Sequence, residues 1–290
     1  MIKTAIIGAS GFLGSYLINN YRSQYPDCIG TSYSNHSPKL FSFDIRNPNI
    51  KHLNLERTGH KAVIIASYIS KIFYCESKSN IAREVNIDGV LQLIKNLSKT
   101  SLKIIFLSSD YVFDGLKGKF IDSHPTVPST VYGKHKKIIE DEIKNLTNNF
   151  LVLRLSKVYG IKKGDETLLD EGANLLSQNK QILAASNQYF CPIFVDDLVQ
   201  AIKKIQEKNL KGYINVSAPE TWSRFEMFTQ LAQFMNRDTK LVKKIKLHDL
   251  PEMKGKPLNT SMICERLNQE TESNFISLKD AMIKVASNYR

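Results

Sequence analysis

The sequence has no apolar run long enough to cross a bilayer; its longest are strand-length, where a membrane span needs about 20 residues. Cysteine is scarce. Cys28, Cys75, Cys191 and Cys264 lie far apart, with no C-x-x-C pair and no histidine at metal-ligand spacing. That excludes a zinc module and a disulfide framework, leaving reduced structural thiols and no expected metal site. Acidic residues are in deficit, 28 against 40 lysines and arginines, for a formal net charge of +12. The lysines are spread along the chain without an aromatic-interleaved patch, so nucleic acid is not an expected partner. The excess charge reads either as a solvated basic surface or as attraction for a small anionic ligand. Met1-Ile2-Lys3 leads into an apolar stretch too short for a signal-peptide core, so a cytoplasmic protein with no membrane partner is expected.

What is present is a globular composition, 42% hydrophobic and 23% charged over 290 residues, enough for one large domain or two smaller ones. Strand-like runs at 4–7, 62–66, 103–107 and 150–155 alternate with helical stretches. One helix is expected over 81–97, where Val85, Val90, Leu93, Ile94 and Leu97 approximate a single apolar face; another follows Tyr132, with Ile138, Ile139 and Ile143 inside. This alternation predicts an α/β fold, a Rossmann-type doubly wound parallel sheet with helices on both faces. Beyond Gly160 the pattern loosens, which suggests a smaller, interleaved second region. The expected partition is 1–160 plus about 191–210 for the nucleotide-binding part, and about 161–190 and 211–290 for the substrate-binding part. In "TWSRFEMFTQLAQFM", Trp222, Phe225, Phe228 and Leu231 recur at near-helical spacing and read as core.

Two local patterns carry chemistry. "TAIIGASGFLGSYL" places Gly8, Gly11 and Gly14 between a strand and a helix, the context a phosphate-cradling glycine loop requires. Glycines let the backbone approach a pyrophosphate, and the helix start offers free N–H groups and the positive end of its dipole. The second strand, near 28–32, ends without an acid to hold an adenosine 2′-hydroxyl; hydroxyls, His36 and Lys39 follow instead. This favours NADP(H) and leaves NAD(H) open. Further on, Tyr132 and Lys136 stand four residues apart at a helix start and share one face. A nearby ammonium is expected to lower the tyrosine's pKa from about 10 and fit it for proton transfer to a carbonyl. Between these patterns, "LSSDYVFDGLKGKF" ends an apolar strand in clustered polar groups.

With "GASGFLG", "SSDYVFDG", "VPSTVYGKHK", "LRLSKVYG", "GYINVSAPETWSRFEM" and "GKPLNTSM", the chain resembles the extended short-chain dehydrogenase/reductase superfamily nearly end to end. Within it the resemblance is to the dTDP-4-dehydrorhamnose reductase family. The resemblance implies that Ser109 hydrogen-bonds the substrate carbonyl, Tyr132 gives the proton, and Lys136 holds the nicotinamide ribose and tunes Tyr132. It implies cofactor contacts at Gly8, Ser10, Gly11, Phe12, Leu13, Gly14, Asp44, Ile45, Ala66, Ser67 and Lys136, and substrate contacts at Ser109, Asp110, Tyr111, Lys157 and Lys256. Asp44 equally suits a turn or cap, and Asn86 either steadies backbone near the site or lies on a helix surface. Phe73 stands in place of an aspartate, Lys157 of a tryptophan beside the sugar and Lys256 of an arginine, so the substrate pocket is altered while the hydride machinery is kept. Lys157 is either solvated or in contact with a carboxylate or phosphate. The implied activity is NADP(H)-dependent reduction of the 4-keto group of a nucleotide-diphosphate 6-deoxysugar, for polysaccharide or deoxysugar synthesis. The alternatives are a reductase or epimerase of another nucleotide-sugar, and an NADP-binding regulatory subunit without turnover. A homodimer is compatible with all three.

Overall fold

Strands buried on both faces must be apolar throughout, and β1 (Thr4–Ile7) and β4 (Ala62–Ile65) are buried at every position. The computed structural model describes residues 1–34, 37–250, 253 and 255–289. From β1 the chain enters α1 (Phe12–Arg22), returns through the short β2 (Thr31–Ser32) and β3 (Phe41–Ser42), and reaches β4. Next come α2 (Ile72–Ser77), α3 (Ser79–Arg83), a π-helical turn at Glu84–Gly89 and α4 (Val90–Leu97). The single helix expected over 81–97 is therefore broken. Asn86 directs its side chain to the backbone of Ile69, and Gly89 lies so close to the Ile45 carbonyl that a Cβ there would collide with it. Such bulges commonly occur where a helix serves a site.

Beyond them β5 (Lys103–Ser109), α5 (Val131–Leu146) and β6 (Phe150–Leu155) complete the first part. The remainder runs β7 (Val158–Tyr159), α6 (Leu168–Ser177), β8 (Ile182–Ala185), β9 (Tyr189–Phe190), β10 (Ile193–Phe194), α7 (Val195–Glu207), β11 (Gly212–Val216), β12 (Trp222–Ser223), α8 (Arg224–Phe234), β13 (Val242–Ile245), α9 (Glu265–Thr271) and α10 (Leu278–Ser287). The central sheet is parallel, in the order β1-β4-β5-β6-β11. The β2–β3 pair extends it past β1 through a bridge between Ile6 and Gly30.

Apolar residues of α1 and α7 cover one face of this sheet, and those of α4 and α5 cover the other. A separate core joins α6, α8 and α10; Phe228 and Leu231 are buried in it, with Trp222 and Phe225 packed at its rim. β11 pairs with β6 over five residues and Leu267 of α9 joins the sheet's core, so both pack with the central sheet. The physical reason is that β6 needs a partner on its outer edge, and "GYINV" supplies it. The four cysteines are buried and unpaired. Among the described residues, no helix is long and apolar enough to cross a membrane.

One buried ion pair locks α5 to the sheet. Arg154 of β6 donates from Nε and Nη2 to the carboxylate of Glu140 on α5 at 2.8–3.2 Å, and from Nη1 to the Asp122 carbonyl at 2.9 Å. Ser108 of β5 donates to the same carboxylate. Both charged side chains are nearly sealed from water. Removing one partner would strand the other charge. Glu140→Ala is expected to lower the unfolding free energy in urea titrations by about 3–5 kcal/mol, and Glu140→Gln by less, since it keeps shape and hydrogen bonds; an Ala variant as stable as the parent would discount the lock.

Candidate active site

At the C-terminal end of the sheet, the glycine loop turns from β1 into α1. Gly8 takes φ +93°, and a Cβ there would run into the Ser67 backbone beyond β4; one on Gly14 would run into the Gly8 carbonyl. Only glycine fits both places. Thr31 pins the loop, its hydroxyl accepting from Gly8 N at 3.1 Å and its carbonyl from Ala9 N at 2.7 Å, while Ser32 Oγ donates to Ser10 Oγ at 3.0 Å. No side chain caps the start of α1 and no acid lies in its first turn. Above Gly11 there is room: a Cβ would meet only the Gly8 carbonyl, at 3.7 Å. An uncapped helix start with open space before it fits the pyrophosphate of a dinucleotide. Ala66 and Ser67 adjoin this loop; Phe12 packs against Tyr16 and Leu13 is half-buried behind it.

Asp44 lies past β3 and is held by Arg46, whose Nε donates to both carboxylate oxygens at 3.0 and 3.1 Å and whose Nη2 donates at 2.7 Å. These hydrogen bonds keep the Asp44 carboxyl below its ordinary range. Arg46 also donates to the Tyr33 hydroxyl and lies 5.0 Å above its ring. Ile45 is buried, its carbonyl against Gly89 of the π-helical turn. Arg46 escaped the sequence reading, although a base two residues after Asp44 was the available signal. His36 lies outside the described residues; Lys39 is exposed, its carbonyl accepting from Arg22.

The structure brings Ser109, Tyr132 and Lys136 together at the end of β5. Thr130 caps α5, its hydroxyl accepting from Gly133 N at 3.1 Å, which fixes where Tyr132 and Lys136 project. Lys136 is buried, donates from Nζ to the Leu107 carbonyl at 2.6 Å and sits 3.3 Å above the Tyr68 ring. Tyr132 stands edge-on between Tyr68 at 5.8 Å and Tyr111 at 6.0 Å. The expected lowering of the Tyr132 pKa is not found. Burial pushes the phenol up, Asp110 adds to this, and a hydrogen bond with Ser109 opposes it. Lys136 cannot counter the shift, because burial holds its own amine well below the ordinary lysine value and its proton points at Leu107. A phenol that keeps its proton is an acid, which suits protonation of a nascent alkoxide.

Ser109 Oγ donates to Asp110 Oδ1 at 2.9 Å and accepts from Tyr111 N at 3.2 Å. Asp110 is buried and also accepts from Thr260 at 2.7 Å and Ser156 at 3.4 Å. Burial raises its carboxyl to about 6, against the hydroxyls and Lys157. Asn86 is fully buried and clamps Ile69, accepting from its N–H at 2.9 Å and donating to its carbonyl at 3.0 Å, so it steadies the loop that carries Tyr68. Tyr68 and Thr260 were missed by sequence reasoning. Tyr68 was visible as an aromatic just past a strand, and its buried hydroxyl has no hydrogen-bond partner among the described residues. Nothing local marks Thr260, which arrives from 150 residues away.

Next to Asp110, Tyr111 is raised to about 12 by burial and then by Asp110, with Arg224 and Gln188 opposing. Arg224 opens α8 and donates from Nε to Gln188 Oε1 at 2.8 Å; in the sequence it stands among the core positions of "TWSRFEMFTQLAQFM" and carried no reading of its own. Lys157 follows β6, accessible along its length but with its amine crowded by protein, and that burial, then Arg224, lowers its pKa. Lys256 Nζ lies 2.7 Å from Met253 Sδ, just ahead of Pro257, which packs beneath Gly115. Phe73 is 69% exposed on α2.

The family described as the RmlD substrate binding domain matches residues 2–290. A dTDP-4-dehydrorhamnose reductase of Sinorhizobium fredii is 27% identical over 222 residues, covering 71% of this chain and 73% of that protein. Methionine adenosyltransferase 2 subunit beta of Pongo abelii is 23% identical over 275 residues, 91% of this chain and 81% of the relative. The fold also matches a crystal structure of dTDP-4-dehydrorhamnose reductase from Bacillus anthracis str. Ames in complex with NADP, with a TM-score of 0.83 at 22% identity over 97% of this chain and 98% of that one. By the match along its whole length, the chain belongs to the RmlD family, named for its substrate binding domain.

Proposed function

We propose that this protein is an NADP(H)-dependent reductase acting on the keto group of a nucleotide-sugar, with the 4-keto 6-deoxysugars reduced by dTDP-4-dehydrorhamnose reductases as the reference substrates. The observation that carries this reading is the Ser109–Tyr132–Lys136 group at the C-terminal end of β5, with Ser109 and Lys136 buried and Tyr132 half-buried, on the same sheet edge as the glycine loop. The nicotinamide, when bound, supplies the hydride. Tyr132 gives its phenolic proton to the carbonyl oxygen as charge develops there. Ser109 orients that oxygen, and Asp110 with Tyr111 N fixes the serine's rotamer. Lys136 holds the ribose hydroxyls and Gly8, Ser10, Gly11 and Gly14 the pyrophosphate; Phe12, Leu13, Ala66 and Ser67 line the same cofactor path, with Asp44 and Ile45 at the adenine end. Arg46 beside Tyr33, together with the lack of an acid at the end of β2, supports NADP(H) over NAD(H), because a guanidinium there complements a 2′-phosphate.

A second reading is favoured by the subunit-beta relatives, which span 91% of the chain: an NADP-binding regulatory subunit. The intact proton-donor group argues for turnover.

NADPH oxidation against a panel of keto nucleotide-sugars tests the choice, and tight NADP binding with no turnover of any sugar would refute the reductase. Tyr132→Phe is expected to cut turnover by about 100-fold or more while cofactor affinity, read by fluorescence titration, is unchanged. Arg46→Ala is expected to weaken binding of 2′-phospho-ADP-ribose by about tenfold and leave ADP-ribose unaffected; equal losses for both would remove Arg46 from phosphate recognition. Asp110 titrates higher in the fold than its ordinary 3.8, so its ionisation costs stability as pH rises from 4 through 6. Asp110→Asn should therefore gain about 3 kcal/mol over the parent at pH 7 and lose that advantage by pH 4, as read by urea unfolding at each pH.

A further inference from the structure

Two cations stand on the sugar side of the cleft. Lys157 lies two residues past β6, beside Ser156, whose hydroxyl reaches the Asp110 carboxylate at 3.4 Å. Its carbonyl accepts from Ile193 N at 2.9 Å, which fixes the backbone that aims it. Arg224 is set by its bond to Gln188 at 2.8 Å and lies 5.8 Å from the centre of the Phe190 ring. Among the described residues, no carboxylate comes within 4.0 Å of Lys157 or Arg224. The acids whose charge reaches Lys157 are Glu171 and Asp110, against Arg224 and Lys256, and Glu171 reaches Arg224 as well, without ion-pair contact to either cation. Asp110 is already engaged by three hydroxyls, those of Ser109, Ser156 and Thr260. Holding two partly desolvated cations near one another costs stability, and an anion placed between them relieves it.

The location decides what kind of anion. Lys157 shares the neighbourhood of Asp110, which touches Ser109, the neighbour of Tyr132. The two cations therefore stand on the Asp110 side of the Ser109–Tyr132 group. Resting on the nucleotide-sugar reading above, we propose that Lys157 and Arg224 form a subsite for a carboxylate carried by the sugar ring beside the carbon that is reduced, so that the substrate is an acidic nucleotide-sugar. The planar guanidinium grips the carboxylate and the ammonium adds charge.

Calorimetric titration of the full chain with NADP⁺ present separates the outcomes, using UDP-glucose, UDP-glucuronate, their dTDP-linked counterparts, and UDP and dTDP alone. The glucuronates are expected to bind about tenfold tighter than the glucoses. Lys157→Met should abolish that preference without weakening the glucose nucleotides, and Lys157→Arg should retain it. Equal affinity for the two sugars in the parent protein would overturn the subsite and leave the nucleotide-sugar reading standing. A Lys157→Met loss shared by UDP and dTDP would also overturn it, by assigning the cation to the diphosphate. If no nucleotide-sugar binds, both readings fall together.

Discussion

Helix α5 carries Lys136 and Glu140, one turn apart, on the face it buries against the sheet, and the arrangement of the site follows from that constraint. Neither charge is tolerable there alone. Glu140 is neutralised by Arg154 of β6 and hydrogen-bonded by Ser108 of β5; Lys136 is satisfied by the Leu107 carbonyl and the face of Tyr68. Each requirement fixes the helix against a different strand or loop. Rotating α5 would break both sets of partners at once, so Tyr132 is held beside Ser109 by the Glu140–Arg154 pair, which does no chemistry itself, together with Lys136.

The parts of the molecule legible in the sequence are those written locally. The glycine loop, the four-residue spacing of Tyr132 and Lys136, and the polar end of β5 each occupy a few consecutive residues, and strand–loop–helix geometry turns them into a site with little outside help. Less legible were features that depend on chain segments meeting from afar. Thr260 and Arg224 reach the site through the pairing of β9 with β12 and the bridge between Tyr189 and Asn259. Arg46 meets Tyr33 across two short strands. The π-helical turn was hidden because its cause, the reach of Asn86 to Ile69, has no periodicity to detect.

Charge states were harder still to read. A lysine one helical turn from a tyrosine suggests a lowered phenol, yet burial of both groups reverses the sign. The separation between them matters less than the water each has lost. The same loss of water acts on Asp110 and Lys157, so the cleft holds a carboxyl raised toward neutrality and a lysine pulled down from its usual value. Interiors that carry such groups give up stability for function.

The late return of the chain to its first sheet has a consequence during synthesis. β6 is complete at residue 155, but the strand that covers its outer edge, β11, spans Gly212–Val216. A chain emerging from the ribosome therefore exposes the apolar ladder "FLVLRL" until the interleaved second region has been made. Truncation anywhere in that interval leaves an open edge able to pair with a neighbouring chain, and the two regions cannot be separated by a single cut.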